Sequence, residues 1–202
     1  MVTTSTRSRL ELSLELRQLV MRFSAQNLRN IRARADAKIR YAQIHLELLR
    51  ERGSNSGSDF DRGVEESILY HLFGARDAFL HELGEYYSCS FAGADITPGK
   101  LRDALQRQGR RSPELAELWA LENDPASWLA HAKEMRDHSA HRHGVPRQFH
   151  MGGVNHGKVF PRNPLTGDLL EQDMPDVLAA WLISMTDLLE RLRSSAIASN
   201  SA

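Results

Sequence analysis

The sequence predicts an all-α fold, an up-and-down helical bundle with a long irregular loop before the last helix. Three observations predict it. Apolar residues recur every three or four positions over long stretches, three shorter stretches begin at an acceptor–Pro pair, and residues 145–173 lack a helical period and are rich in Gly, Pro and Asn. A chain of 202 residues with 41% hydrophobic residues suits one core. We therefore expect a single helical-bundle domain over residues 1–202, with residues 1–6 and 195–202 as flexible tails.

The first predicted element covers residues 8–52, a stretch without Gly or Pro. Its apolar residues are spaced as in an amphipathic helix, and its outer face is rich in Arg. The pattern leaves open whether this stretch is one helix or two, and a break is expected at residues 24–27. A Gly- and Ser-rich loop, 53–58, separates it from a second long helix predicted over 61–87.

Three short helices are predicted next, beginning at Thr97-Pro98, Ser112-Pro113 and Asp124-Pro125. In each pair a side-chain acceptor precedes a Pro at the first helical position, where the missing N–H costs nothing. Within the loop 145–173 a small hairpin is predicted through residues 158–160 and 169–170, with its turn at Thr166-Gly167. The last helix is expected to begin near Met174-Pro175.

Composition excludes several classes of protein. Lys+Arg and Asp+Glu are both 26, which argues against a general nucleic-acid coat but not against a local basic site. The chain has no apolar run long enough for a membrane span and no secretory signal, so no membrane partner is expected. The single Cys89 favours a cytoplasmic setting. No cofactor is expected, because Walker motifs and phosphate-cradling Gly loops are absent.

Histidine is the residue type that points to a site. Six of the nine His residues fall between positions 131 and 156, and the densest stretch is 136–143, at the end of a predicted helix. Asp137 and His141 are spaced i, i+4, so the carboxylate is placed to orient the imidazole, while Arg136 offers a guanidinium to a phosphate oxygen. Positions 136 and 141 lie about 140° apart around an ideal helix. They meet one ligand only if the helix loosens or a second subunit completes the site.

Other interpretations of these residues stay open. The same Arg-to-His spacing occurs at Arg40–His45 and at Arg76–His81, where an interior ion pair of Arg76 with Asp77 or Glu82 is the simpler explanation. His71, His81 and Glu82 suit the bundle interior or rim. His138 and His141, spaced i, i+3, are candidate metal ligands for a hydrolase, although no metal-binding motif is present. A long loop such as 145–173 is also typical of protein-binding segments, so a non-catalytic interaction module is the alternative function.

The segment Arg136-Asp137-His138-Ser139-Ala140-His141 resembles the Arg–polar–His signature of the HEPN superfamily, an all-helical group. The resemblance implies a homodimer whose paired Arg and His cleave RNA without metal. It implies that His141 is the general acid/base, that Asp137 orients it and that Arg136 binds phosphate. Arg142 and His143 would assist in substrate binding.

A broader similarity covers residues 38–131. Its motifs are Lys38-Ile39-Arg40-Tyr41-Ala42, Tyr70-His71-Leu72-Phe73-Gly74-Ala75, His81-Glu82-Leu83 with Tyr86-Tyr87, Pro113-Glu114-Leu115-Ala116 and Ser127-Trp128-Leu129. These motifs are similar to an uncharacterised bacterial helical family, and that similarity implies a fold but no activity.

Overall fold

The structure, a computed structural model, describes residues 9–52, 58–89, 91, 96–141 and 145–201; for residues 9–25, 141 and 199–201 it describes the backbone alone. The predicted tail 1–6 lies outside these ranges. Within them the chain is mostly helical, which confirms the all-α bundle. None of the described helices combines the length and the apolar character that a membrane span needs. The described helices are α1 (Arg9–Glu51), α2 (Asp59–Tyr86), α3 (Pro98–Arg107), α4 (Pro113–Asn123), α5 (Trp128–His141) and α6 (Met174–Ser201), and strands β1 (Arg147–Phe149) and β2 (Val159–Pro161) lie between α5 and α6.

Helix α2 is the central element, because it packs against α1, α3, α5 and α6. Ser58 begins it by accepting a hydrogen bond from the Asp61 N–H. α1 and α2 are antiparallel, since Asn27 contacts Glu85 at one end and Arg52 contacts Asp61 at the other. The periodicity of α2 predicts a buried stripe of seven residues. Six of them are buried, Val64, Ile68, Leu72, Ala75, Phe79 and Leu83, and the seventh, Tyr86, is half-buried.

Helix α6 is antiparallel to α1 and joins both long helices through an arginine. Arg50 lies 3.3 Å from Asp176 near the start of α6, and Arg193 near its end lies 2.9 Å from Asp36. The same Arg193 donates from Nε to both carboxylate oxygens of Glu82 on α2, at 3.0 Å each. One buried guanidinium therefore connects α1, α2 and α6.

The break expected at residues 24–27 is wrong. α1 continues through these residues as one helix, because the stretch holds no Gly or Pro to interrupt its backbone hydrogen bonds. The predicted tail from residue 195 also differs. α6 continues to Ser201, and Ser195 donates a 2.7 Å hydrogen bond to Glu114 while Ala196 is fully buried.

Two of the three helix starts predicted at Pro are confirmed, and the third is wrong. Thr97 and Ser112 cap α3 and α4 directly before their prolines. Asp124 instead closes a turn, accepting from Ala126 N–H on its side chain and from Ser127 N–H on its carbonyl. α5 starts after Ser127, whose hydroxyl accepts from Ala130 N–H. The Asx turn at Asp124 takes up the acceptor that the sequence pattern assigned to a cap.

The hairpin predicted in the loop 145–173 is only partly correct. β2 contains Val159 and Phe160 as expected, but its partner is β1, residues 147–149, rather than residues 169–170. The predicted pairing survives beyond β2 as a single bridge between Arg162 and Leu169. β1 gains a fixed position because Arg147 forms an ion pair with the buried Glu65 of α2, a long-range contact that strand periodicity does not reveal.

Replacing Arg193 by Met should destabilise the fold strongly. The Glu82 side chain is fully buried, and losing the arginine that meets both of its oxygens leaves a buried charge without its ion-pair partner, which costs about 3–5 kcal/mol. Urea unfolding followed by circular dichroism measures this loss. The control is Arg191→Met, because Arg191 pairs with Glu117 where both side chains are exposed, and such a pair contributes about 1 kcal/mol or less. Equal losses in the two variants would contradict the assignment.

Candidate functional site

The arginine of the predicted site is held by its neighbour and by an aromatic ring. Arg136 donates to one oxygen of Asp137 from Nε at 2.9 Å and from a terminal nitrogen at 2.6 Å. Its guanidinium lies 4.4 Å from the centre of the Phe73 ring on α2, a cation–π distance. The first contact lies within α5, and the second places the guanidinium against α2.

Arg136 lines a groove between α1, α2 and α5 with a volume of about 650 Å³. We call it the basic groove, because Arg34 and Lys38 of α1 and His81 of α2 line it together with Arg136. Its remaining lining residues are Ile31, Tyr70, Phe73, Gly74, Asp77 and Ala78.

The charge of the basic groove is positive at neutral pH. Arg34 and Lys38, spaced i, i+4, lie on one face of α1, and neither forms an ion pair with a carboxylate of the described residues. The one acidic residue of the lining, Asp77, accepts a 2.6 Å hydrogen bond from Arg76. Arg136 is paired with Asp137 and Asp77 with Arg76, so the charges of Arg34 and Lys38 are the ones left to favour an anionic ligand.

The setting of His81 lowers its pKa and so favours the neutral imidazole. Burial lowers its pKa, the charge of Arg34 lowers it further, and Asp77 and Glu85 act in the opposite direction. A neutral imidazole in a groove lined by cations can accept a proton or a hydrogen bond from a ligand.

Arg76 and His81, which have the same spacing in the sequence, lie in different surroundings in the structure. Arg76 turns inward and contacts Asp77 and Glu122, as the ion-pair interpretation expects for Asp77. Burial raises the pKa of Glu122 although Arg76 opposes the effect. His81 turns to the groove instead, so Arg76 and His81 belong to different environments.

The other predicted site residues lie only partly within the described part of the chain. Asp137 contacts Arg136, and its predicted orientation of His141 stays a prediction because the His141 side chain lies outside the described residues. Arg142 and His143 lie outside them as well. The imidazole of His138 lies 3.7 Å from Glu134, one turn earlier on α5. No group of three or more possible metal ligands occurs among the side chains that the structure describes.

The basic groove contains residues that no sequence motif assigned to a site, although Lys38, Tyr70 and Phe73 belong to the motifs of the helical family. Arg34 and Lys38 belong to the Arg-rich outer face of α1, which resembles any solvated helix face until its neighbours are known. Tyr70 and Phe73 cannot be distinguished by sequence from the other aromatic and apolar residues of α2. The signal in the sequence is a basic i, i+4 pair on one helix together with an aromatic residue on the next helix. It can be recognised only once the pairing of α1 with α2 is known.

The hairpin of β1 and β2 is a second exposed feature, and its tip is apolar where the groove is basic. Phe149, Met151 and Val154 near its tip are 58%, 84% and 95% exposed. Its base is fixed, because Arg147 donates to Glu65, whose pKa is raised by burial although Arg147 opposes the effect. A fixed base with apolar side chains at the tip is typical of a protein-binding surface.

Replacing Arg34 by Ala should raise the pKa of His81. The native imidazole loses its proton at a lower pH than the ordinary value of 6.5, and removing the neighbouring positive charge favours the protonated form. Histidine NMR titration measures the shift, and His71, whose pKa is lowered by burial and by Lys38 and His45, is the internal control. A His81 pKa that stays constant would show that Arg34 does not face it.

The same shift links His81 to stability with a definite sign. Because its folded-state pKa is lowered, the imidazole contributes stability above about pH 6.5, and this contribution is lost as the pH falls through the folded-state pKa. The free energy of unfolding of the native chain, measured relative to His81→Asn, should therefore decrease on acidification.

Comparison with known proteins gives a family and no activity. No curated protein and no solved structure matches the chain. Residues 28–199, most of the 202, match a family described as a family of unknown function, DUF6586. The chain belongs to the DUF6586 family.

Proposed function

We propose that this protein binds RNA in the basic groove and cleaves it without metal, in the manner that its resemblance to the HEPN superfamily implies. The observation that carries the proposal is the position of Arg136. The arginine selected by the sequence motif lines the same groove as Arg34 and Lys38, two cations from a different helix. Three convergent cations match the spaced charges of a phosphate backbone.

Arg136 is suited to stabilise charge on phosphorus. Asp137 occupies its Nε and one terminal nitrogen, while the other terminal nitrogen, Nη1, has no hydrogen-bond partner among the described residues. We expect Nη1 to donate to a non-bridging phosphate oxygen, which gains charge as the 2′-oxygen attacks. The ion pair with Asp137 restricts the guanidinium, so little ordering is needed when the ligand binds.

His141 is the proposed acid and base of the reaction. It takes the proton of the 2′-hydroxyl as the new 2′-O–P bond forms, and the proton is returned to the 5′-oxygen as the P–O5′ bond breaks. The products are a 2′,3′-cyclic phosphate and a 5′-hydroxyl, and no oxidant or metal takes part. Arg142 and His143 follow directly in sequence and are proposed to assist in binding the substrate. We expect a homodimer to complete the site, because residues 136 and 141 diverge by about 140° on one helix.

RNA cleavage in the presence of EDTA tests this proposal. The purified chain should cut RNA under these conditions, and Arg136→Ala and His141→Ala should each lower the rate about 100-fold or more, as expected for loss of a charge-stabilising or acid–base group. Gel analysis of labelled RNA and detection of cyclic phosphate ends measure the effect.

His156→Ala is the matched control, because His156 lies in the same His-rich region but on the exposed hairpin and away from the groove. It should cleave as the native chain does. Absence of cleavage, or equal cleavage by His141→Ala, would remove the enzymatic claim. Light scattering on the same samples tests the expected homodimer.

A second candidate function is protein binding through the loop 145–173, and the exposed hairpin tip favours it. Met151 and Val154 are almost fully exposed although both are apolar. In that case a Met151→Ser, Val154→Ser double variant should lose the bound protein in affinity capture, while Arg136→Ala should retain it. Retention of the partner by the double variant would contradict this function.

A further inference from the structure

Four rings lie in contact along the outer side of the α1–α2 pair. His71 is central, with ring centres 5.4 Å from Tyr41, 5.4 Å from His45 and 5.5 Å from Tyr70. The His45 and His71 rings are stacked at 27° to each other. We call this set, Tyr41, His45, Tyr70 and His71, the aromatic strip.

The two tyrosines of the aromatic strip are exposed although they lie within long helices. Tyr70 is 65% exposed and Tyr41 is 47% exposed, while Phe79 on the inward face of α2 is fully buried. Tyr70 also lines the basic groove, so strip and groove form one continuous surface.

Lys38 joins the aromatic strip to the basic groove. Its ammonium lies 5.0 Å from the centre of the Tyr70 ring. Its aliphatic stem crosses α2 at Gly74, where an added Cβ would approach the Lys38 stem to 3.2 Å. The ammonium is therefore held beside Tyr70, at the boundary between the basic groove and the aromatic strip.

We infer that the aromatic strip is a stacking surface for unpaired bases, so that the ligand of groove and strip together is single-stranded RNA. The inference rests on the proposed function for the nature of the ligand. A groove of cations that follows a phosphate backbone, next to exposed rings on which successive bases stack, is what sequence-independent recognition of a single strand requires. A duplex offers the phosphates but not the base faces, which are already stacked within it.

The histidines support the tyrosines in this arrangement. The Nδ1 atom of His71 is buried without a hydrogen-bond partner among the described residues, so its ring is positioned by the neighbouring rings. Burial and the charges of Lys38 and His45 lower the pKa of His71. The lowered pKa favours an uncharged imidazole between the two tyrosines, which keeps the centre of the strip aromatic.

The test compares single-stranded with double-stranded RNA in the His141→Ala background, so that cleavage does not interfere. Fluorescence anisotropy uses a labelled strand of about 12 nucleotides and the duplex of the same strand. Tyr70→Ala should weaken binding of the single strand about 10-fold or more beyond any loss in binding of the duplex. Tyr70→Phe should bind as the parent does, because the ring face is retained.

Phe60→Ala is the matched control. Phe60 is 45% exposed on the same helix and has Arg52 over its ring at 4.1 Å, but it does not line the groove. It should bind both RNAs as the parent does. Circular dichroism of each variant checks that the exposed substitutions leave the fold intact.

The outcomes separate the two proposals. Equal loss of duplex and single-strand binding in Tyr70→Ala, no loss at all, or an equal loss in Phe60→Ala would overturn the stacking surface and leave RNA cleavage standing. A Tyr70-dependent preference for the single strand, together with no cleavage by the native chain, would support the stacking surface and overturn the enzyme. If light scattering shows that Tyr70→Ala separates a dimer into monomers, the strip is a subunit interface and the inference is wrong.

Discussion

The ionic contact of Arg193 with Glu82 and Asp36 determines how the three longest described helices sit against one another. Glu82 has no exposed surface, and burial raises its pKa more than the attraction of Arg193 lowers it. A carboxylate in this position is tolerated only where a guanidinium meets both of its oxygens. A change in the rotation or axial position of α6 or α2 would leave a buried charge alone, so this contact selects one arrangement among the many that apolar stripes permit.

A second buried carboxylate links α4 to the long helices α2 and α6. Glu114 at the start of α4 accepts hydrogen bonds from Ser195, Tyr87 and Ser112, and together they lower its pKa although burial acts to raise it. These donors come from α6, from the end of α2 and from the α4 cap. The hydroxyl of Ser195 is one reason that α6 remains helical in a region whose composition resembles a tail.

This arrangement of the long helices explains how the basic groove forms. With its inward face committed to the core, α2 presents Tyr70, Asp77 and His81 along the side that faces α1 and α5. α1 contributes two cations there, and α5 contributes Arg136, which Phe73 and Asp137 hold in place. Charge and aromatic surface thus converge from two consecutive helices, α1 and α2, and from the more distant α5. This convergence connects the proposed phosphate site with the proposed stacking surface, since both depend on the same α1–α2 pairing.

The sequence by itself determined the helical class, most of the helix starts and the buried apolar residues of α2, and it singled out Arg136 as a candidate site residue. These features depend on local periods and on capping residues, which act within a few positions of the chain. Tertiary structure alone decided the direction of Arg136, the separation of Arg76 from His81, and the strand that pairs with β2. Each of these depends on a contact between distant residues, such as Arg136 with Phe73 or Arg147 with Glu65, and the energy of such a contact is not encoded in the spacing of either partner.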